Sequence, residues 1–251
     1  MTGHRPLEGK VALISGGARG IGAAHVRLFA QRGAKIVFGD LLNEDARSLA
    51  EEIGDAVRYL RMDVRCAEDW AAAVDLAAAT FGPVTVLVNN AAIHSVGTVD
   101  QCPPETFRAV IDVNLCGVLL GIQAVVPAMR AAGGGSIVNI ASTAGVMGYA
   151  GLAAYVSAKY GVCGLTKAAA LDLADFGIRV NSVHPGAVRT SMTEDYPERP
   201  KLMAMHRLGD PIEIARMSAF LASDEASFST GGGFLVDGGT VAGIAGKWRM
   251  E

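Results

Sequence analysis

With 251 residues, 51% of them hydrophobic and 19% charged, the chain carries material for a substantial core and lacks the composition of a disordered segment. Its 22 basic and 25 acidic residues are mixed along the sequence to a formal net charge of −3, which supplies no field to gather nucleic acid or an anionic membrane and leaves a small molecule as the expected partner. Cys66, Cys102, Cys116 and Cys163 form no C-x-x-C pair and the five histidines are dispersed, a pattern that indicates neither a disulfide frame nor a metal site.

The opening "MTGHRPLEGK" has no apolar core of the signal-peptide kind, so a cytoplasmic address is expected. The first strand is "VALIS" (11–15), followed by the glycine-rich "SGGARGIG" and a helical stretch over 21–32. Further strands are expected at "KIVFGD" (35–40), "RYLRMDV" (58–64), "VTVLVNN" (84–90), "SIVNIAS" (136–142), "IRVNSVHPG" (178–186) and "GFLVDGG" (233–239), with helices over 67–80 and 104–130 between them. The run 131–158 has no charged residue, yet its six glycines with Ser, Thr and Asn make it too polar for a bilayer span. In "GDPIEIA" (209–215), Asp210 as N-cap, Pro211 at the first helical position and Glu213 three residues after the cap predict a helix reaching about Ala222. Neither a linker nor a repeat interrupts this alternation. It predicts an α/β fold: one Rossmann-like domain over 1–251, a doubly wound parallel sheet with helices on both faces and its ligand at the carboxyl ends of the strands.

Two places on that frame carry chemistry. In the loop after the first strand, Gly16, Gly20 and Gly22 let the backbone approach a pyrophosphate, which free N–H groups and the helix dipole then meet. The spacing is G-x-x-x-G-x-G, not the commoner G-x-G-x-x-G. Asp40 ends the second strand twenty residues after Gly20, placed to accept bonds from the adenosine ribose hydroxyls and to repel a 2′-phosphate. Arg19 inside the loop pulls the other way, but Leu41 and not a second base follows Asp40, so NAD is expected over NADP. The second place is Tyr155-x-x-x-Lys159, an i,i+4 pair that puts a phenol and an ammonium on one helix face. A neighbouring ammonium favours phenolate and brings a poor acid toward neutrality.

The loop "GGARGIG", "NNAA" (89–92) after the fourth strand, Ser142 at the end of the fifth, and Tyr155 with Lys159, falling in that order, resemble the short-chain dehydrogenase/reductase family over nearly the whole chain. So do "DVNLCGV", "AGGGSIVNIAS", "IRVNSVHPG" and "VDGG". The resemblance implies a tetrad of Asn114, Ser142, Tyr155 and Lys159. Ser142 would donate to the substrate oxygen, Asn114 would hold a water linking Lys159 to solvent, and Lys159 would also hold the nicotinamide ribose. It extends the cofactor set to Arg19 and Ile21 in the loop, Asp63 and Val64 beside the adenine, Asn90 along the cofactor, and Val188 and Thr190 near the carboxamide. One departure stands out, since Ala92 occupies the place of the usual glycine in NNAG and puts backbone conformation or substrate room there in question.

The activity implied is interconversion of a secondary alcohol and a ketone. An uncharged approach, "TAGVMGYAGLAA" (143–154), and a methionine-containing lid over 191–209 suit a hydroxysteroid or another bulky apolar substrate. The rivals are a 3-oxoacyl thioester reductase, which calls for NADPH and a basic patch, and a non-enzymatic dinucleotide sensor. Helices over 104–130 and 155–174 are apolar on more surface than one sheet face covers, and the family is usually tetrameric, so a homotetramer is expected.

Overall fold

The computed structural model describes residues 5–195 and 203–243. Its strands are β1 (Val11–Ser15), β2 (Lys35–Asp40), β3 (Val57–Arg61), β4 (Val86–Asn89), β5 (Gly135–Ile140), β6 (Ile178–Pro185) and β7 (Gly233–Val236). They form one parallel sheet in the order β3-β2-β1-β4-β5-β6-β7, so the winding direction reverses between β1 and β4. The chain leaving both strands there opens a crevice at their carboxyl ends. The helices are α1 (Gly20–Gln31), α2 (Asn43–Ile53), α3 (Ala67–Thr80), α4 (Pro104–Ile111), α5 (Gly117–Ala131), α6 (Ala153–Leu173) and α7 (Pro211–Ala222).

Because side chains alternate along a strand, a sheet covered on both faces needs apolar residues at every position. In β1, Ala12 and Ile14 join the core under α1, α2 and α7, while Val11 and Leu13 join the core under α3, α5 and α6. This is the doubly wound α/β architecture expected from the strand–helix alternation.

Five expected strands end before their runs do, β5 at Ile140 and β6 at Pro185 among them. Beyond β3, Asp69 Oδ2 accepts from Asp63 N (2.7 Å) and Trp70 Nε1 donates to the Val64 carbonyl (3.0 Å), turning the chain into α3. Beyond β7, the Asp237 carboxylate takes the N–H groups of Gly239 (2.9 Å) and Val241 (2.8 Å). The run expected over 84–90 is a strand only over Val86–Asn89, since Thr85 Oγ1 instead accepts from Val11 N (3.0 Å). The helix start at Asp210 is as expected, with both capping-box bonds present.

The helix expected over 104–130 runs over Pro104–Ala131 but contains one π turn, Asp112–Cys116. By length and composition it could cross a membrane. In this fold Val118, Ile122, Val125 and Met129 instead pack against the sheet and α3.

A buried histidine ties α1 to α7. His25 Nε2 lies 2.8 Å from Ser218 Oγ, and Ser218 donates to the Ile214 carbonyl (3.2 Å), so the imidazole gives the Nε2 proton while Nδ1 has no partner. Burial pushes its pKa down to about 3. Between that value and an unfolded pKa near 6.5 the unfolded chain binds the extra proton, so stability falls as pH drops through this window, by at most about 1.4 kcal/mol per pH unit. Urea midpoints at pH 7 and pH 5 should therefore converge in His25→Leu and separate in the wild type; equal pH slopes in both would refute this.

Candidate active site

A cavity of about 570 Å³ opens at the carboxyl ends of β1, β2, β4, β5 and β6. Gly16, Arg19, Gly20, Ile21, Gly22, Asp40, Asp63, Val64, Asn90, Ser142, Tyr155, Lys159, Val188 and Thr190 all line it. Of the candidate residues only Asn114 does not.

At one end the glycine loop is packed so tightly that side chains are excluded. Gly16 sits at φ 65°, and a methyl on it would lie 2.7 Å from Ala91 Cα; one on Gly22 would lie 1.8 Å from the Gly16 carbonyl. Asn90 draws the β4 end against this loop, donating from Nδ2 to the carbonyls of Ser15 (3.1 Å) and Gly16 (2.8 Å). Both Nδ2 protons are thus spent on the loop. α1 begins with neither a side-chain cap nor an acidic residue in its first turn, which leaves N–H groups and dipole for an anion. Ala92 lines the cavity with an ordinary negative φ, so its methyl imposes no backbone strain.

The Asp40 carboxylate is oriented by two backbone donors, Ala18 N on Oδ2 (2.9 Å) and Leu42 N on Oδ1 (3.0 Å), and each oxygen retains a lone pair. Arg19 turns to Asp45 on α2 at 2.7 Å. Asp63 is forked by Arg65 at 2.6–3.1 Å, and that hydrogen bonding holds its carboxyl below the usual range. Val64 is an apolar lining residue there, as is Leu41 after Asp40; Met62 and Leu42, which motif reading passed over, also line this end.

At the other end, Lys159 is 2% exposed, its Nζ donates to the Ile140 carbonyl (2.8 Å) and stands 5.5 Å from the centre of the Tyr155 ring. Burial brings its pKa down to about 8. Ser142 follows β5 with an extended backbone, and its Oγ accepts from Ala144 N (3.1 Å). The hydroxyl proton remains for another acceptor. Asn114, fully buried at the π turn, grips the Ile93 backbone with both amide atoms, Nδ2 to the carbonyl (2.8 Å) and Oδ1 from N–H (2.9 Å). It shapes the wall through Ile93, itself a lining residue.

The lid is less uniform than its methionines suggest. Met192 lines the cavity, Met203 is buried near Gly186 and Met205 is exposed; residues 196–202 lie outside the described residues. The uncharged approach over 143–154 does carry polar groups, Thr143 Oγ1 bonding the Tyr149 hydroxyl (2.8 Å). Sequence reasoning also missed His184, buried behind Ser142, because nothing in its spacing links it to Tyr155 or Lys159.

A family model described as enoyl-(acyl carrier protein) reductase matches residues 16–241. A 3-alpha-(or 20-beta)-hydroxysteroid dehydrogenase of Mycobacterium tuberculosis (strain ATCC 25618 / H37Rv) is 51% identical over 95% of this chain and 92% of its own. A trans-4-hydroxycyclohexanecarboxylate dehydrogenase of Sinomonas cyclohexanicum is 46% identical over 93% of each chain, and a cyclohexanol dehydrogenase of Acinetobacter sp. (strain SE19) is 46% identical over 92% of this chain and 95% of its own. With its parallel sheet, its glycine loop and this cavity, the chain belongs to the short-chain dehydrogenase/reductase family and is an oxidoreductase of the kind that uses a nicotinamide cofactor.

Proposed function

We propose that the protein oxidises a secondary alcohol on a six-membered carbocycle with NAD, or reduces the corresponding ketone, a hydroxysteroid being one such substrate. The observation that carries this reading is the placement of Ser142, Tyr155 and Lys159 on one wall of the cavity whose other end is Asp40 and the glycine loop. A nicotinamide, when bound, supplies or accepts the hydride. The Tyr155 hydroxyl passes a proton to or from the substrate oxygen, Ser142 donates its free proton to that oxygen, and Lys159 places a positive charge behind the phenol. Only one of the three Lys159 donors is used by Ile140, and the others suit ribose hydroxyls. Asn114 acts as a positioning residue through Ile93.

The relatives' names favour the ring. Cyclohexanol, 4-hydroxycyclohexanecarboxylate and the 3-alcohol of a steroid share one reacting unit, a secondary alcohol on a six-membered carbocycle, whereas the 20-alcohol that the same steroid relative's name carries stands on a side chain, so the ring is common to three of these four alcohols. The matched family model's description favours a second reading, a thioester on an acyl carrier. Against it, Arg207 within the lid segment is forked by Glu213 at 2.8 Å, and Arg189 just before that segment stands 3.6 Å from Asp210. The test is kcat/KM, followed at the nicotinamide absorbance, for cyclohexanol, trans-4-hydroxycyclohexanecarboxylate and a 3-hydroxysteroid with NAD, beside an acetoacetyl thioester and a ketose with NADH. A tenfold lead for the thioester or the sugar overturns the substrate reading and leaves the dehydrogenase intact.

Cofactor choice has its own test. Asp40→Ala removes a charged acceptor, which should weaken NAD by about 1.5–3 kcal/mol, and adding Asp45→Ala should free Arg19 and move preference further toward NADP. Tighter NADPH than NADH binding in the unmutated protein refutes the assignment. For assembly we propose a homotetramer, supported by exposed apolar side chains on α5 and α6, among them Leu119, Tyr160 and Leu171. Sedimentation equilibrium showing a monomer at micromolar concentration would overturn it.

A further inference from the structure

We propose that His184 is a positioning residue for the reaction: through the peptide carbonyl of Ser142 it holds the Ser142 hydroxyl in line with Tyr155. The proposal rests on the reading of Ser142 as the donor to the substrate oxygen. The last rung between β5 and β6 is Ala141 N to the Val183 carbonyl, at 2.8 Å. Past that rung the ladder ends, and the next residue is the one whose hydroxyl must be aimed. His184 extends the connection with its side chain, Nδ1 lying 3.1 Å from the Ser142 carbonyl. Gly145 N donates to the same oxygen at 2.9 Å.

A carbonyl can only accept, so Nδ1 carries the ring proton and Nε2 is the acceptor. Ser182 Oγ lies 2.9 Å from Nε2 and 3.3 Å from the Gly232 carbonyl, which already accepts from Ser182 N at 2.9 Å, so the hydroxyl's one proton goes to the nearer Nε2. Room for the ring comes from Gly233 on β7, where a methyl would lie 2.9 Å from Nε2. The imidazole is buried and close enough to Lys159 to feel its charge, and both effects hold it neutral. Two carbonyls flanking Ala141 at and just past the end of β5 are therefore held by different partners, Ile140 by Lys159 and Ser142 by His184. With one clamp removed, the Ser142–Thr143 peptide is free to rock about the Gly145 bond, and small displacements of a donor are costly in rate.

The test combines kinetics with ring NMR. In His184→Leu we expect kcat to fall about 10–100-fold while the cofactor Kd changes less than about twofold, since His184 does not line the cavity. His184→Asn, whose amide can donate from nearly the Nδ1 place, should recover most of the loss. Long-range ¹⁵N–¹H correlation on the wild type should show the Nδ1–H tautomer, unchanged in Ser142→Ala because the carbonyl remains. An Nε2–H tautomer, wild-type kcat in a folded His184→Leu, or equal losses in the Leu and Asn variants would overturn the proposal. If His184→Leu does not fold, the tautomer decides. Retained turnover in Ser142→Ala would instead refute the role of the Ser142 hydroxyl, an outcome separate from the tautomer.

Discussion

Tyr155→Phe is expected to lower kcat by about 10²–10⁴-fold while the folded structure and cofactor Kd stay near wild type. The substitution removes one oxygen and keeps the ring over which the Lys159 ammonium sits, 5.5 Å from its centre. Among the described residues of that wall none is placed to take over: Ser142 lacks a neighbouring base to carry its proton, and Lys159 points its Nζ at the Ile140 carbonyl. Cofactor binding by fluorescence titration, run beside turnover, separates a lost proton donor from a damaged pocket. Near-normal turnover would mean that another group carries the proton and the assignment of Tyr155 is wrong.

Lys159→Met should abolish activity and weaken the cofactor, yet make the ligand-free protein more stable. The reason is the burial of a cation whose folded pKa is about 8 against an ordinary 10.5. Over those 2.5 pH units, at about 1.4 kcal/mol each, the native state carries an unfavourable term of roughly 3 kcal/mol at neutral pH. Removing the ammonium leaves the Ile140 carbonyl without its donor, which costs about 1–3 kcal/mol, so the net gain near pH 7 is about 1 kcal/mol, or a few degrees in Tm. The pH dependence is the sharper readout. The unfolded chain binds more protons than the native one between pH 8 and 10.5, so wild-type stability gains from this residue as pH rises through that window. The stability difference between variant and wild type should shrink and reverse there. A difference independent of pH would show that Lys159 carries no desolvation cost.

Much of the site was legible because its parts are local. A glycine loop, an acid at a strand end and an i,i+4 tyrosine–lysine pair are each set by a few consecutive residues, and the β–α alternation predicts that all of them meet at one end of a parallel sheet. The capping box at Asp210 is local in the same way, and it is present in full. Strand ends were less legible: the expected strands ran on through Val64 and Gly239, whereas pairing stops at Arg61 and Val236, where Asp69 and Asp237 capture the backbone that follows.

The sequence by itself determined the fold class, the order of the elements and the residue types that meet at the crevice, since these follow from hydrophobic period and short-range backbone chemistry. Only the tertiary structure decided which atoms each residue uses. Asn114 spends its amide on Ile93, twenty-one positions away, Arg19 turns to Asp45 on another helix, and His184 reaches back forty-two positions to Ser142. Such partners are joined by strand register and helix packing, and a side chain's last hydrogen bond depends on distances of a few tenths of an ångström that no spacing along the chain encodes.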